Sequence, residues 1–142
     1  MRVLLALAAT ALLLTGLAVA GDTKEDLKKL EGTWKGEFEG KKLEMKMEKD
    51  KFTVTFSFGD NDIVFKGKIK IDPSKKPKEI DLTVEEGKDF QGKTSQGIYE
   101  IDGDSLKWCA NEPGKDTRPK AFPDKEGETG EGHMYLVLKK SK

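Results

Sequence analysis

Gly32-Thr33-Trp34 stands where the sequence changes from a helical to a strand pattern. From Thr33 onward apolar or small residues recur at every second position, so that Trp34, Gly36 and Phe38 share one face of the predicted strand. The alternate positions are mostly charged. A period of two with one charged face is typical of a strand that packs on a core and faces water on its other side. This stretch therefore predicts that a sheet begins here.

The same alternation continues downstream and predicts about eight strands, the clearest of them between Phe52 and Phe58. Turn sequences such as Gly59-Asp60 and Gly103-Asp104 separate neighbouring strands. The other inward rows are Leu43, Met45 and Met47; Ile63, Phe65, Gly67, Ile69 and Ile71; Ile80, Leu82 and Val84; Tyr99 and Ile101; Leu106, Trp108 and Ala110; and Met134, Leu136 and Leu138. Closure hides such apolar faces and leaves no exposed edge. We therefore predict an all-β, up-and-down antiparallel eight-stranded barrel, with a two-sheet sandwich as the alternative. The inward Gly67 predicts a bend or bulge. Residues 86–96 are polar and contain glycine, so we predict a loop there.

A short helix is predicted just before the first strand. Thr23 is placed to cap it, with Asp26 three residues later, and Gly32 is placed to end it. Leu27 and Leu30 form a narrow apolar stripe. We expect this helix to cover one end of the barrel.

Residues 1–20 have the order of a secretory signal peptide: one cation, Arg2, then an apolar run, then the small residues Ala18-Val19-Ala20. We expect cleavage before Gly21, a barrel domain over 21–142, and export to the periplasm or the cell exterior. An uncleaved membrane anchor is the alternative, but polar interruptions and the lack of a following basic cluster fit it less well. No transmembrane anchor is expected after cleavage.

The charges are balanced, with 26 Lys and Arg against 26 Asp and Glu. Removing Arg2 with the leader leaves 25 against 26, a net charge of −1. Binding to nucleic acid requires a basic field that this chain lacks, so we expect no nucleic-acid partner.

Several further segments resemble a known family. Leu30-Glu31-Gly32-Thr33-Trp34-Lys35 resembles the Gly-x-Trp opening of the lipocalin and calycin superfamily, in which the tryptophan closes the barrel bottom. The other matching segments are Ile71-Asp72-Pro73, Lys76-Pro77-Lys78-Glu79-Ile80-Asp81-Leu82, Gly97-Ile98-Tyr99-Glu100, Leu106-Lys107-Trp108-Cys109, and Arg118-Pro119 with Phe122. Together they are similar to an uncharacterised family of secreted lipocalin-like domains typical of planctomycete bacteria, over nearly all of the mature chain. The resemblance implies an exported lipocalin-like barrel and no established activity or catalytic residue. It also implies a basic side chain over Trp34, for which Arg118, Lys139 and Lys140 are the candidates.

The predicted barrel interior is the candidate ligand site, because an eight-stranded barrel is wide enough to hold one small molecule. A small apolar ligand is expected, since few inward groups are polar. The candidate residues of the interior are Trp34, Phe38, Met45, Phe56, Phe65, Tyr99 and Trp108. From the long connection 111–133, Arg118 and Phe122 are expected to fold over the barrel mouth, unless that connection is disordered. The alternative is a filled barrel that acts as an interaction or structural module of the cell envelope.

A third, less favoured hypothesis is a metal or thiol site. Cys109 ends the seventh predicted strand and His133 begins the eighth, so the two side chains are expected near each other, with Asp116, Asp124 or Glu131 on the loop between them as a third ligand. Both are zinc or copper ligands, but two ligands alone do not make a site. We predict no catalytic residue, no metal and no cofactor.

Overall fold

The computed structural model describes residues 22–128 and 133–141. The predicted signal peptide, its cleavage site and part of the connection 111–133 lie outside the described residues. Residues 22–30 form helix α1. The strands are β1 (Gly32–Phe38), β2 (Lys41–Glu48), β3 (Lys51–Phe58), β4 (Asn61–Asp72), β5 (Lys78–Glu86), β6 (Thr94–Asp102), β7 (Ser105–Ala110), β8 (Gly127–Glu128) and β9 (Met134–Lys140). No helix among the described residues is both long and apolar enough to cross a membrane.

Eight strands close into a barrel. Each of β1 to β6 pairs antiparallel with the next strand, and β7 pairs antiparallel with β9. Trp34 opposite Lys140 and Lys35 opposite Lys139 join β9 to β1 and complete the ring. The predicted up-and-down antiparallel barrel is therefore confirmed, and the alternative of a two-sheet sandwich is wrong. The two-residue β8, which pairs with the other end of β9, was not predicted.

Two local predictions have different outcomes. The bulge expected at Gly67 is present, because the β4–β5 register shifts between Lys66 and Gly67. A Cβ atom at Gly67 would lie 1.8 Å from the carbonyl oxygen of Thr83, so only glycine fits there. The predicted polar connection 86–96 is too long, since β6 already begins at Thr94.

Helix α1 closes one end of the barrel, as expected. Leu30 and Trp34 are fully buried, and Nε1 of Trp34 donates a hydrogen bond to the Leu30 carbonyl oxygen at 2.8 Å. The ammonium group of Lys140 lies 5.3 Å from the centre of the Trp34 ring. Lys140 is thus the basic residue over the opening tryptophan, a position for which the sequence offered three candidates.

A buried polar contact also fastens α1 to the barrel. Oδ2 of Asp26 accepts hydrogen bonds from the Tyr99 hydroxyl and from Nζ of Lys78, both at 2.8 Å. Asp26 and Tyr99 are almost completely buried. The sequence placed Asp26 only in the helix cap and did not predict this long-range role.

Candidate functional site

The end of the barrel opposite α1 contains a cavity of about 570 Å³ that is open to solvent. The strand ends and connections on that side form it, because β1, β3, β5 and β7 finish there and β2, β4, β6 and β9 start there. The lining residues are Phe38, Glu39, Lys41, Phe52, Val54, Phe56, Phe58, Ile63, Phe65, Leu82, Val84, Phe90, Ser95, Trp108, Ala110, Asn111, Glu112, Pro113, His133 and Met134.

Aromatic side chains dominate the wall on the β1–β5 side. Phe56 and Phe65 meet edge to face with ring centres 6.2 Å apart, and Phe65 lies 5.6 Å from Phe90. Phe58 lies 6.4 Å from Phe56 and carries the Lys41 ammonium group 4.4 Å above its ring. These edge-to-face and tilted arrangements are favourable for aromatic rings. The result is a continuous aromatic surface from the cavity interior to its rim.

Buried polar groups lie on the other side, on β6, on the connection that follows β7, and directly before β9. Ser95 Oγ donates to the Asn111 carbonyl oxygen at 2.6 Å, and Nδ2 of Asn111 donates to Oγ1 of Thr117 at 2.6 Å. Nε2 of His133 lies 3.2 Å from the Thr117 carbonyl oxygen. These contacts hold the start of the long connection against the barrel wall.

Four of the residues predicted for the barrel interior line the cavity: Phe38, Phe56, Phe65 and Trp108. The other three, Trp34, Met45 and Tyr99, are buried in the core and do not line it. Trp34 and Tyr99 lie at the end closed by α1. Sequence alternation gives the inward face of a strand, but the depth of each residue in the barrel depends on which end is closed.

Phe90 is the main lining residue that sequence reasoning missed. It belongs to the connection between β5 and β6, which was interpreted as polar. A single phenylalanine among Gly, Lys and Gln gives no periodic signal. Its isolation in a polar connection near the barrel mouth is the one feature that indicates a role there.

The expected position of Arg118 and Phe122 over the mouth is wrong. Arg118 lies on the outer wall, where Nη1 donates to the Gly97 carbonyl oxygen at 2.8 Å and Nη2 lies 2.7 Å from Oδ1 of Asp81. Phe122 also packs outside, with its ring centre 5.6 Å from that of Tyr135.

The reason is a second apolar surface on the outside of the barrel. Ile98, Cys109 and Tyr135 are buried there as a cluster of their own, and Phe122 and Val137 pack against it. The part of the connection around Phe122 therefore runs along the outer wall and covers this cluster, whereas Asn111, Glu112 and Pro113 at its start line the cavity.

Cys109 and His133 lie in different surroundings, because Cys109 belongs to the outer apolar cluster and His133 lines the cavity. Burial in the outer apolar cluster raises the pKa of the Cys109 thiol to about 11, which keeps it protonated and unreactive near neutral pH. Within residues 22–128 and 133–141, no three His, Cys, Asp or Glu side chains group together as a metal site would require. The acidic residue at 131, one candidate third ligand, lies outside the described residues.

Comparisons of this chain with protein-family models, with curated proteins and with solved structures found no match. The geometry of the cavity and its lining residues is therefore the basis for assigning a function.

Proposed function

We propose that this chain is an exported, non-enzymatic, lipocalin-like domain that binds a small apolar ligand in the barrel cavity. One observation carries the proposal: a cavity of about 570 Å³, open at one end, whose wall is mostly aromatic and aliphatic. Pockets for small organic molecules have volumes of about 300–1,000 Å³ and similar linings. The ligand class follows from that lining.

The apolar wall favours a ligand over water as the occupant. Phe56, Phe58 and Phe65 point inward yet remain only partly buried, because the cavity separates them from the opposite wall. Covering such surface stabilises a complex by roughly 25 cal/mol for each Å² of apolar area removed from water. An apolar molecule that fills the cavity therefore gains affinity without requiring the barrel to rearrange.

The polar residues of the wall support binding rather than catalysis. Ser95 and Asn111 use their hydroxyl and amide donors in contacts that fix the connection after β7.

Export is supported by the signal-like pattern of residues 1–20, and export would place the proposed binding activity in the periplasm or outside the cell.

The proposal is tested with N-phenyl-1-naphthylamine, a neutral apolar fluorophore whose emission rises in apolar surroundings. Val54 lies deep in the cavity wall, whereas its neighbour Thr55 points outward. Val54→Trp is expected to weaken binding at least tenfold because the indole occupies cavity volume. Thr55→Trp, the matched control, is expected to change it less than twofold.

Absence of saturable binding by the unmodified protein would refute the proposal. That result would favour the interaction module instead. Ile63 and Val64, which are 42% and 40% exposed near the β3–β4 turn, would then be the apolar surface to test for a protein partner.

A further inference from the structure

The polar groups of the cavity are gathered on one side of it. Among residues 22–128 and 133–141, four polar or charged residues are classed as buried, and Ser95, Asn111 and His133 are three of them. All three line the cavity. The phenylalanines belong to β1, β3, β4 and the β5–β6 connection, so the cavity has an aromatic side and a polar side.

Trp108 lies on the polar side and carries a hydrogen-bond donor for which the described residues provide no acceptor. Its side chain lines the cavity and is 5% exposed. The Nε1 atom is buried and has no acceptor among the described residues. Nε1 of Trp34, by contrast, donates to a carbonyl oxygen at the closed end. A buried N–H without an acceptor destabilises the protein, so a small turn of the indole that brings Nε1 to the cavity surface would let the cavity's occupant accept its hydrogen bond.

We propose that the ligand is an apolar molecule with one neutral oxygen acceptor, such as a ketone, ester or alcohol, which accepts a hydrogen bond from Nε1 of Trp108. Its apolar part then lies against Phe56 and Phe65. This inference rests on the proposed function and adds the chemical class of the ligand.

A neutral acceptor fits the charges of the wall better than a carboxylate does. Among the described lining residues, Lys41 is the one lysine or arginine, and it lies over the Phe58 ring on the aromatic side. A carboxylate at Trp108 would be buried on the polar side, where, among the described lining residues, His133 is the one basic side chain and Glu112 has the same charge as the ligand. Burying an ion without a permanently charged partner is unfavourable, whereas a carbonyl needs only a donor.

Three compounds with one carbon skeleton separate these possibilities: butylbenzene, butyrophenone and 4-phenylbutanoate. Their affinities are measured by displacement of N-phenyl-1-naphthylamine from protein expressed from the full-length chain and from its Trp108→Phe variant. Trp108→Phe keeps an aromatic ring and removes the N–H. It is expected to weaken butyrophenone binding roughly five- to tenfold and butylbenzene binding less than twofold. In the unmodified protein 4-phenylbutanoate is expected to bind more weakly than butyrophenone.

Nuclear magnetic resonance of the unmodified protein gives a readout that does not depend on the variant folding. The two tryptophans give two indole N–H signals, and the signal absent from Trp108→Phe identifies Trp108. Butyrophenone is expected to move the Trp108 proton downfield while the Trp34 signal stays in place; butylbenzene is expected to produce no such downfield movement.

The outcomes distinguish the two proposals. If butyrophenone and butylbenzene both bind but Trp108→Phe affects them equally, or the Trp108 proton does not move downfield, the inference on ligand class is overturned and the binding function stands. If neither compound displaces the fluorophore and the fluorophore itself shows no saturable binding, the proposed function fails as well.

Discussion

Replacing Tyr99 with phenylalanine tests the contact that fastens α1 to the closed end of the barrel. The variant removes a hydroxyl that donates to Asp26 at 2.8 Å, and the tyrosine and the aspartate are 1% and 4% exposed. A hydrogen bond to a charged group contributes roughly 1.5–3 kcal/mol. We therefore expect Tyr99→Phe to lower the free energy of unfolding by about 2 kcal/mol at pH 8.

Lys78→Met is the matched comparison, because Lys78 donates to the same Asp26 oxygen atom. The Lys78 side chain is 41% exposed, so water and salt weaken its interaction. We expect this variant to lower the free energy of unfolding by less than about 1 kcal/mol. Urea unfolding followed by circular dichroism measures both variants, and a cost for Tyr99→Phe no larger than that for Lys78→Met would refute the reasoning.

The pH dependence of the Tyr99→Phe effect provides an independent check. Burial, followed by the hydrogen bond to Asp26, raises the pKa of Tyr99 far above its ordinary value. Above pH 10, about the ordinary pKa of tyrosine, the unfolded chain releases this proton while the folded protein retains it. The free energy of unfolding of the unmodified protein then falls by about 1.4 kcal/mol per pH unit because of this group. The stability difference from Tyr99→Phe should therefore shrink as pH rises above 10, and a constant difference would contradict the account.

Three further predictions concern the barrel wall and its outer face. Gly67→Ala should lower the free energy of unfolding in urea by more than about 3 kcal/mol, because its Cβ would collide with the Thr83 carbonyl oxygen. The control Gly59→Ala has open space around it and should lower the same free energy by only about 1–2 kcal/mol, the cost of its positive φ. Arg118→Met should speed tryptic cleavage after Lys120 at least several-fold, because it removes the contacts to Gly97 and Asp81, and an unchanged rate would contradict their role. Cys109 should resist iodoacetamide at pH 8 in the folded protein and react once urea unfolds it, since its pKa is raised to about 11; rapid reaction of the native protein would show that the thiol is not buried.

The barrel itself follows from local patterns in the sequence. The alternation from Thr33 to Phe38 and from Phe52 to Phe58 sets which side chains face inward, and Gly59 and Gly103 occupy turns at positive φ. Because a strand has a period of two, each inward row could be predicted without knowledge of its neighbours.

Features that join distant parts of the chain could not be predicted in this way. The contact between Asp26 and Tyr99 spans 73 positions and has no local pattern. Phe122 has two apolar surfaces available, inside and outside the barrel, and the sequence does not show that Cys109 and Tyr135 bury an outer one. The division of inward residues into cavity wall and packed core likewise depends on which end α1 covers.

Native mass spectrometry of the protein purified from its own host, before and after incubation with N-phenyl-1-naphthylamine, tests ligand binding most directly. The account predicts either one co-purified small apolar molecule per chain or, if the ligand is lost in purification, one bound fluorophore per chain. Analysis of the released molecule should then identify a neutral oxygen acceptor. A bare polypeptide mass under both conditions would contradict the proposed binding function.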